Sequence, residues 1–126
     1  MDNSNKRILI VEDDFQISKV YQIQLSKEGI FTMVAHNGEE AIEFLEEANP
    51  DLVVLDLMIP KKDGFWVLEE IRKIEKYKKT PILIISNLGQ EDDKIRALGL
   101  GATEYLVKID QSIQEIIKKI KEYLKK

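Results

Sequence analysis

The chain has 126 residues, 44% of them hydrophobic and 33% charged, with a net charge of −4 and no cysteine. That length suits one domain with one core. The composition excludes disordered and fibrous chains, and the absence of cysteine excludes disulfides, thiol catalysis and cysteine-bound metal. The acidic balance argues against non-specific nucleic-acid binding. The polar start, Met1 to Arg7, leads into too few apolar residues for a signal peptide or membrane span.

In chain order, Ile8–Val11 forms a first apolar run, followed by the helical stripe Ile17, Val20, Tyr21, Gln24 and Leu25. Thr32–Ala35 is the second run, and Ala41, Ile42, Phe44 and Leu45 form the next stripe, between Asn37-Gly38 and Asn49-Pro50. Leu52–Leu57 is the third run, followed by Val67, Leu68, Ile71 and Ile74. Ile82–Ile85 precedes a short helix opened by Glu91-Asp92-Asp93 and marked by Ile95 and Leu98, acidic residues being suited to a helix N-terminus. Tyr105–Val107 is the last run, before Ile113, Ile116, Ile117, Ile120 and Leu124, with Asp110 or Ser112 as the N-cap. Continuous apolar runs are how strands buried on both faces read. Strand–helix alternation repeated five times predicts an α/β domain over 1–126, a five-stranded parallel sheet with helices on both faces, and flexible residues 1–5.

In open α/β sheets, ligands bind at the carboxyl ends of the strands. Here those ends carry Glu12-Asp13-Asp14, Asp56, Ser86-Asn87 and Lys108. Like charges gathered at one rim cost energy unless a cation joins them. Carboxylates without histidine or cysteine suit a hard ion, so Glu12, Asp13 and Asp56 read as a Mg²⁺ site. Asp56 lies in the most apolar run, where a carboxylate needs a partner or a purpose; as a nucleophile it would form an aspartyl phosphate. Lys108 would hold a phosphoryl oxygen as a point charge, and the Ser86 hydroxyl would donate to another. Taken singly, the parts have plainer readings: Asp13 or Asp14 as a helix cap, Ser86 as a turn residue, Lys108 as a solvated surface lysine.

With these residues in place, the sequence resembles the receiver domains of bacterial two-component response regulators over essentially its whole length. The resemblance is carried by Ile8 to Asp14, by Pro50 to Pro60 with Asp63-Gly64, by Pro81 to Ser86, and by Gly101-Ala102 through Tyr105 to Lys108. The separations of 30 residues from Asp56 to Ser86 and 22 from Ser86 to Lys108 fit as well. The resemblance implies a flavodoxin-like (βα)5 fold with strand order 2-1-3-4-5. It implies Asp56 as phosphoacceptor and Glu12 and Asp13 as ligands of Mg²⁺, or Mn²⁺ in its place, joined by the Met58 carbonyl. Ser86 is then the switch hydroxyl, Tyr105 the aromatic switch and Lys108 the phosphoryl-binding lysine. Weak Mg²⁺-dependent self-phosphorylation and self-dephosphorylation are implied, in a cytoplasmic protein.

The implied partners are a sensor histidine kinase or phosphotransfer protein and a downstream protein on the surface of helix 4, strand 5 and helix 5. Direct contact with nucleic acid or membrane is not expected, and the oligomeric state is monomer or weak homodimer. The chain ends about where a fifth helix should, so the expected output is protein binding or onward phosphotransfer, as in a stand-alone regulator. Two positions depart from the family's pattern. Ile109 replaces the usual proline after the lysine; a cis bond before isoleucine costs about 3 kcal/mol, so a trans bond and a differently placed Lys108 are expected. Asn87 replaces a small residue and is expected to narrow access to Asp56. These departures motivate a competing reading as a phosphorylation-independent scaffold. A phosphatase with an aspartyl-phosphate intermediate is disfavoured because Met58 stands where such enzymes carry a second aspartate. His36 is read as a solvated loop residue, and Lys118, Lys119, Lys121, Lys125 and Lys126 as a solvated helix face. Trp66 is read as packing locally on the line Trp66, Glu70, Lys73, Tyr77.

Overall fold

The structure is a computed structural model describing residues 5–125. The expected flexibility of residues 1–5 therefore lies, Asn5 apart, outside the described residues, as does Lys126. The elements are β1 (Arg7–Val11), α1 (Phe15–Lys27), β2 (Phe31–Ala35), α2 (Gly38–Ala48), β3 (Leu52–Leu55), α3 (Gly64–Lys73), β4 (Ile82–Ser86), α4 (Glu91–Gly99), β5 (Glu104–Val107) and α5 (Ile113–Leu124). Two 3₁₀ turns, Glu75–Tyr77 and Lys108–Asp110, follow α3 and β5. The strands form one parallel sheet in the order β2-β1-β3-β4-β5.

Alternate residues of the central strands enter two separate cores, as the two-residue period of a strand requires. Ile8, Ile10, Leu52, Val54, Leu83 and Ile85 meet Tyr21 and Leu25 of α1 and Ile116, Ile117, Ile120 and Leu124 of α5. Leu9, Val11, Val53, Leu55, Ile82 and Ile84 face the other way, onto Ala41 and Leu45 of α2, Val67, Leu68 and Ile71 of α3, and Ala97 of α4. Helices thus cover both faces, and the apolar strand interiors leave chemistry to their ends. Among the described residues no helix is long and apolar enough to cross a membrane.

Several local expectations are corrected. The third run stops being strand at Leu55: Asp56 N–H still bonds the Val11 carbonyl at 3.0 Å, but the Leu57 carbonyl accepts the Gly64 N–H and the chain turns into α3. On α1 the buried positions are Ser18, Tyr21 and Leu25, whereas Val20 is exposed. On α4 Ala97 is buried, and Ile95 and Leu98, which marked the helix in sequence, point to solvent. Tyr77, placed on an outer line with Trp66, is buried and donates its hydroxyl to the Leu45 carbonyl at 2.6 Å. Trp66 itself is partly buried against the α2–α3 core, with the Lys62 ammonium 5.6 Å from its ring centre. On α5, of the two caps the sequence offered, Ser112 is the one used, in a reciprocal pair with Glu115. The basic face of α5 is not only solvated: Lys119 pairs with Glu104 and Lys121 with Glu28.

Candidate metal and phosphoryl site

Each functional side chain leaves the sheet at the end of a strand, because the carboxyl ends of parallel strands all lie along one rim. Of the three acids after β1, Asp14 caps α1, its carboxylate accepting the Gln16 and Ile17 N–H groups at 2.9 and 3.1 Å. That leaves Glu12, buried, and Asp13, exposed, beside Asp56, buried after β3. Glu12, Asp13 and Asp56 each offer a carboxylate oxygen within 4.8 Å of the others.

Lys108, arriving from β5, inserts between two of them. Its ammonium lies 2.7 Å from Glu12 Oε1 and 2.8 Å from Asp56 Oδ2, with only 16% of the side chain exposed. The remaining oxygens accept backbone donors: Glu12 Oε2 takes the Asp14 N–H at 3.2 Å and Asp56 Oδ1 the Met58 N–H at 3.0 Å. The Met58 backbone is thereby drawn against Asp56, while its side chain is exposed.

Burial raises the Glu12 carboxyl above its ordinary value; the Lys108 hydrogen bond opposes this and the Asp56 charge adds to it. Burial by itself would lower the Lys108 ammonium, but its hydrogen bonds to Asp56 and Glu12 outweigh this and hold it above the ordinary lysine range. Three carboxylates against one ammonium leave two negative charges at the rim. All-oxygen donors with a deficit of two positive charges fit a hard divalent cation.

Ser86 and Tyr105 sit to one side of this cluster and grip the same residue. The buried Ser86 Oγ accepts the Leu88 N–H at 3.3 Å, and the Tyr105 hydroxyl donates to the Leu88 carbonyl. Burial pushes the Tyr105 phenol up to about 12, with the charges of Asp93 and Asp56 adding to the effect. No cis peptide occurs among the described residues, so Lys108–Ile109 is trans as expected; the ammonium nevertheless reaches Asp56. Asn87 turns its carboxamide to the Ile109 N–H, at 2.9 Å.

His36 corrects its sequence reading. Its Nδ1 lies 2.9 Å from the Glu12 carbonyl oxygen, and its ring stacks on the exposed Phe15 at 3.9 Å between centroids. The signal lay in strand register: Val11 pairs with Ala35, so the residues that follow, Glu12 and His36, leave adjacent strands together.

The family model described as the response regulator receiver domain matches residues 8–121. A probable transcriptional regulator, ycf27, of Guillardia theta is 41% identical over 105 residues, which are 83% of this chain and 40% of that protein. The chain thus spans well under half the length of that curated relative. The phosphorylated cyanobacterial phytochrome response regulator RcpA superposes with a TM-score of 0.84 at 32% identity, over 96% of this chain and 94% of that one. The Mn²⁺-bound form of response regulator Rcp1 gives a TM-score of 0.78 at 31% identity, over 93% and 90% of the two chains.

Proposed function

The chain belongs to the response regulator receiver domain family, and from that premise we propose that Asp56 is its phosphoacceptor, with Glu12 and Asp13 as acidic metal ligands and Lys108 as the phosphoryl-binding cation. The observation that carries the reading is the buried Asp56 side chain, only 7% exposed, lying in a three-carboxylate cluster and hydrogen-bonded to Lys108. A carboxylate anion attacks through an oxygen lone pair with no proton to remove, so this nucleophile calls for no general base.

One Asp56 oxygen attacks the phosphorus of a phosphohistidine or small acyl phosphate. The new O–P bond forms as the donor's P–N or P–O bond breaks, and that electron pair leaves with the donor. Lys108 moves from the carboxylate to a phosphoryl oxygen, and the Ser86 hydroxyl hydrogen, left free by the bond that Oγ accepts, is donated to a second. Water reverses the state by attacking phosphorus, releasing inorganic phosphate and restoring the carboxylate. Glu12, Asp13, Asp56 and the Met58 carbonyl would hold Mg²⁺, or Mn²⁺, which supplies charge neutralisation for the incoming phosphoryl group.

The switch is a population shift. Tyr105 and Ser86 both hold Leu88, so drawing Ser86 toward a phosphoryl group disturbs the loop that Tyr105 also grips. The signal would pass to a downstream protein over α4, β5 and α5, where Ile95, Leu98 and Ile109 are exposed. Upstream, a histidine kinase or phosphotransfer protein of the cytoplasm would supply the phosphoryl group.

The test is incubation with acetyl phosphate and Mg²⁺, followed by intact-mass measurement beside an Asp56→Ala control. One phosphoryl group that requires both Mg²⁺ and Asp56 is expected. No adduct from acetyl phosphate or a kinase donor, and no beryllofluoride complex, would leave the phosphorylation-independent scaffold in its place.

A further inference from the structure

Ser86 and Val107 form the last rung between β4 and β5, after which the two chains diverge into separate loops. One of these carries Ser86 onward to α4, and the other carries Lys108. Asn87 spans the gap: its Oδ1 accepts the Ile109 N–H at 2.9 Å. Ile109 lies in the 3₁₀ turn Lys108–Asp110 with its side chain 81% exposed, so this segment takes no anchorage from the core through Ile109. An N–H at the start of such a turn has no partner within it. The Asn87 carboxamide supplies one, at the peptide that joins Lys108 to Ile109.

The position of that peptide matters because a lysine side chain is long and loses much rotamer freedom when its head group is fixed. The ammonium holds Glu12 and Asp56 at 2.7 and 2.8 Å from a backbone that has already left the sheet. We propose that Asn87 is a positioning residue for Lys108: by holding the Ile109 N–H it sets the turn from which the ammonium is aimed at Asp56, and it makes the Ser86 and Lys108 segments move as one. The catalytic consequence rests on the phosphorylation of Asp56 proposed above. Asn87 therefore acts through its acceptor oxygen, not through the bulk that the sequence alone suggests would obstruct the site.

Three substitutions separate acceptor from bulk. Asn87→Ala removes both, Asn87→Leu keeps the size without the acceptor, and Asn87→Asp keeps the acceptor. In Mg²⁺-dependent phosphorylation by acetyl phosphate, Ala and Leu are expected to slow the rate by about 2- to 10-fold, what one hydrogen bond is worth, while Asp recovers most of it. In an Ile109→Pro background, where the donor is gone, Asn87→Ala should add no further loss. A faster Asn87→Ala, or an Asn87→Leu at the unaltered rate, would overturn the proposal. A second readout needs no phosphodonor: hydrogen exchange of the Ile109 amide and the ¹⁵N resonance of the Lys108 ammonium, compared with and without Asn87→Ala. Faster exchange with a shifted Lys108 resonance supports the positioning role even if the unaltered chain takes up no phosphoryl group, a result that would fault the Asp56 reading alone. Unchanged exchange and an unchanged resonance would sink the role itself.

Discussion

Replacing Lys108 with methionine removes the cation that bridges two buried carboxylates. Glu12 and Asp56 side chains are only 4% and 7% exposed, so water does little to screen them. Their oxygens lie within 4.8 Å of each other, and at an effective dielectric of about 20 two such charges repel by about 3 kcal/mol. The protein escapes part of this by protonating Glu12, whose ordinary value is 4.5; at pH 7 that also costs about 3 kcal/mol. Lys108→Met is therefore expected to lose about 2–3 kcal/mol at pH 7 in the metal-free protein, at the low end of or below the roughly 3–5 kcal/mol for breaking a buried pair, because protonation of Glu12 relieves part of the repulsion.

The sign of the pH dependence follows from Glu12. Its folded-state value is raised, so above its unfolded value the folded chain binds more protons and stability falls as pH climbs. The penalty should shrink to about 1 kcal/mol near pH 5, and Mg²⁺ should recover most of it at pH 7. In the unaltered chain, Lys108 is raised as well as Glu12. Its contribution is complete below the ordinary lysine value of 10.5 and is lost as pH rises beyond it. The assay is urea unfolding followed by the fluorescence of the single tryptophan, Trp66, at pH 5 and pH 7, with and without Mg²⁺. A loss below about 0.5 kcal/mol at pH 7, the size of an exposed ion pair, or an equal loss at both pH values, would refute the reasoning.

Gly38→Ala should destabilise by about 2–3 kcal/mol, since a Cβ there would lie 2.2 Å from the Lys62 carbonyl oxygen in a loop where Lys62 already holds φ at 116°. Thermal melting checks it, and a loss below about 1 kcal/mol would show that the β3–α3 loop yields instead. Arg72→Met should cost about 2–4 kcal/mol, because its guanidinium donates to the Gly101, Tyr77 and Thr80 carbonyls at 2.7–3.0 Å. Amide exchange should rise first in residues 77–80 and 101–103, and protection left intact there would count against the role given to these Arg72 bonds.

Much of the site was legible because it depends on one-dimensional features. A carboxylate inside Leu52 to Leu57, and acids, a serine and a lysine directly after apolar runs, are visible without coordinates. Strand ends converge in any parallel sheet, so their chemistry converges too. Less legible were the features set by pairing. The sequence leaves open whether Asp13 or Asp14 caps α1; in the fold it is Asp14 that accepts the Gln16 and Ile17 amides. His36 looked solvated because its partner, Glu12, is 24 residues away and reached only through strand register.

The sequence by itself determined the alternation of buried strands and helices, the family, and which residue types stand at the rim, because hydrophobic period and residue order are local properties of the chain. Tertiary structure alone decided that Lys108 bridges Glu12 and Asp56 despite isoleucine at 109, and that Asn87 reaches across to the Ile109 amide. Ile95 and Leu98 were left in solvent while Ala97 packed inward. Each of these depends on distances between segments far apart in sequence, which are set by how helices and loops pack once the sheet has formed.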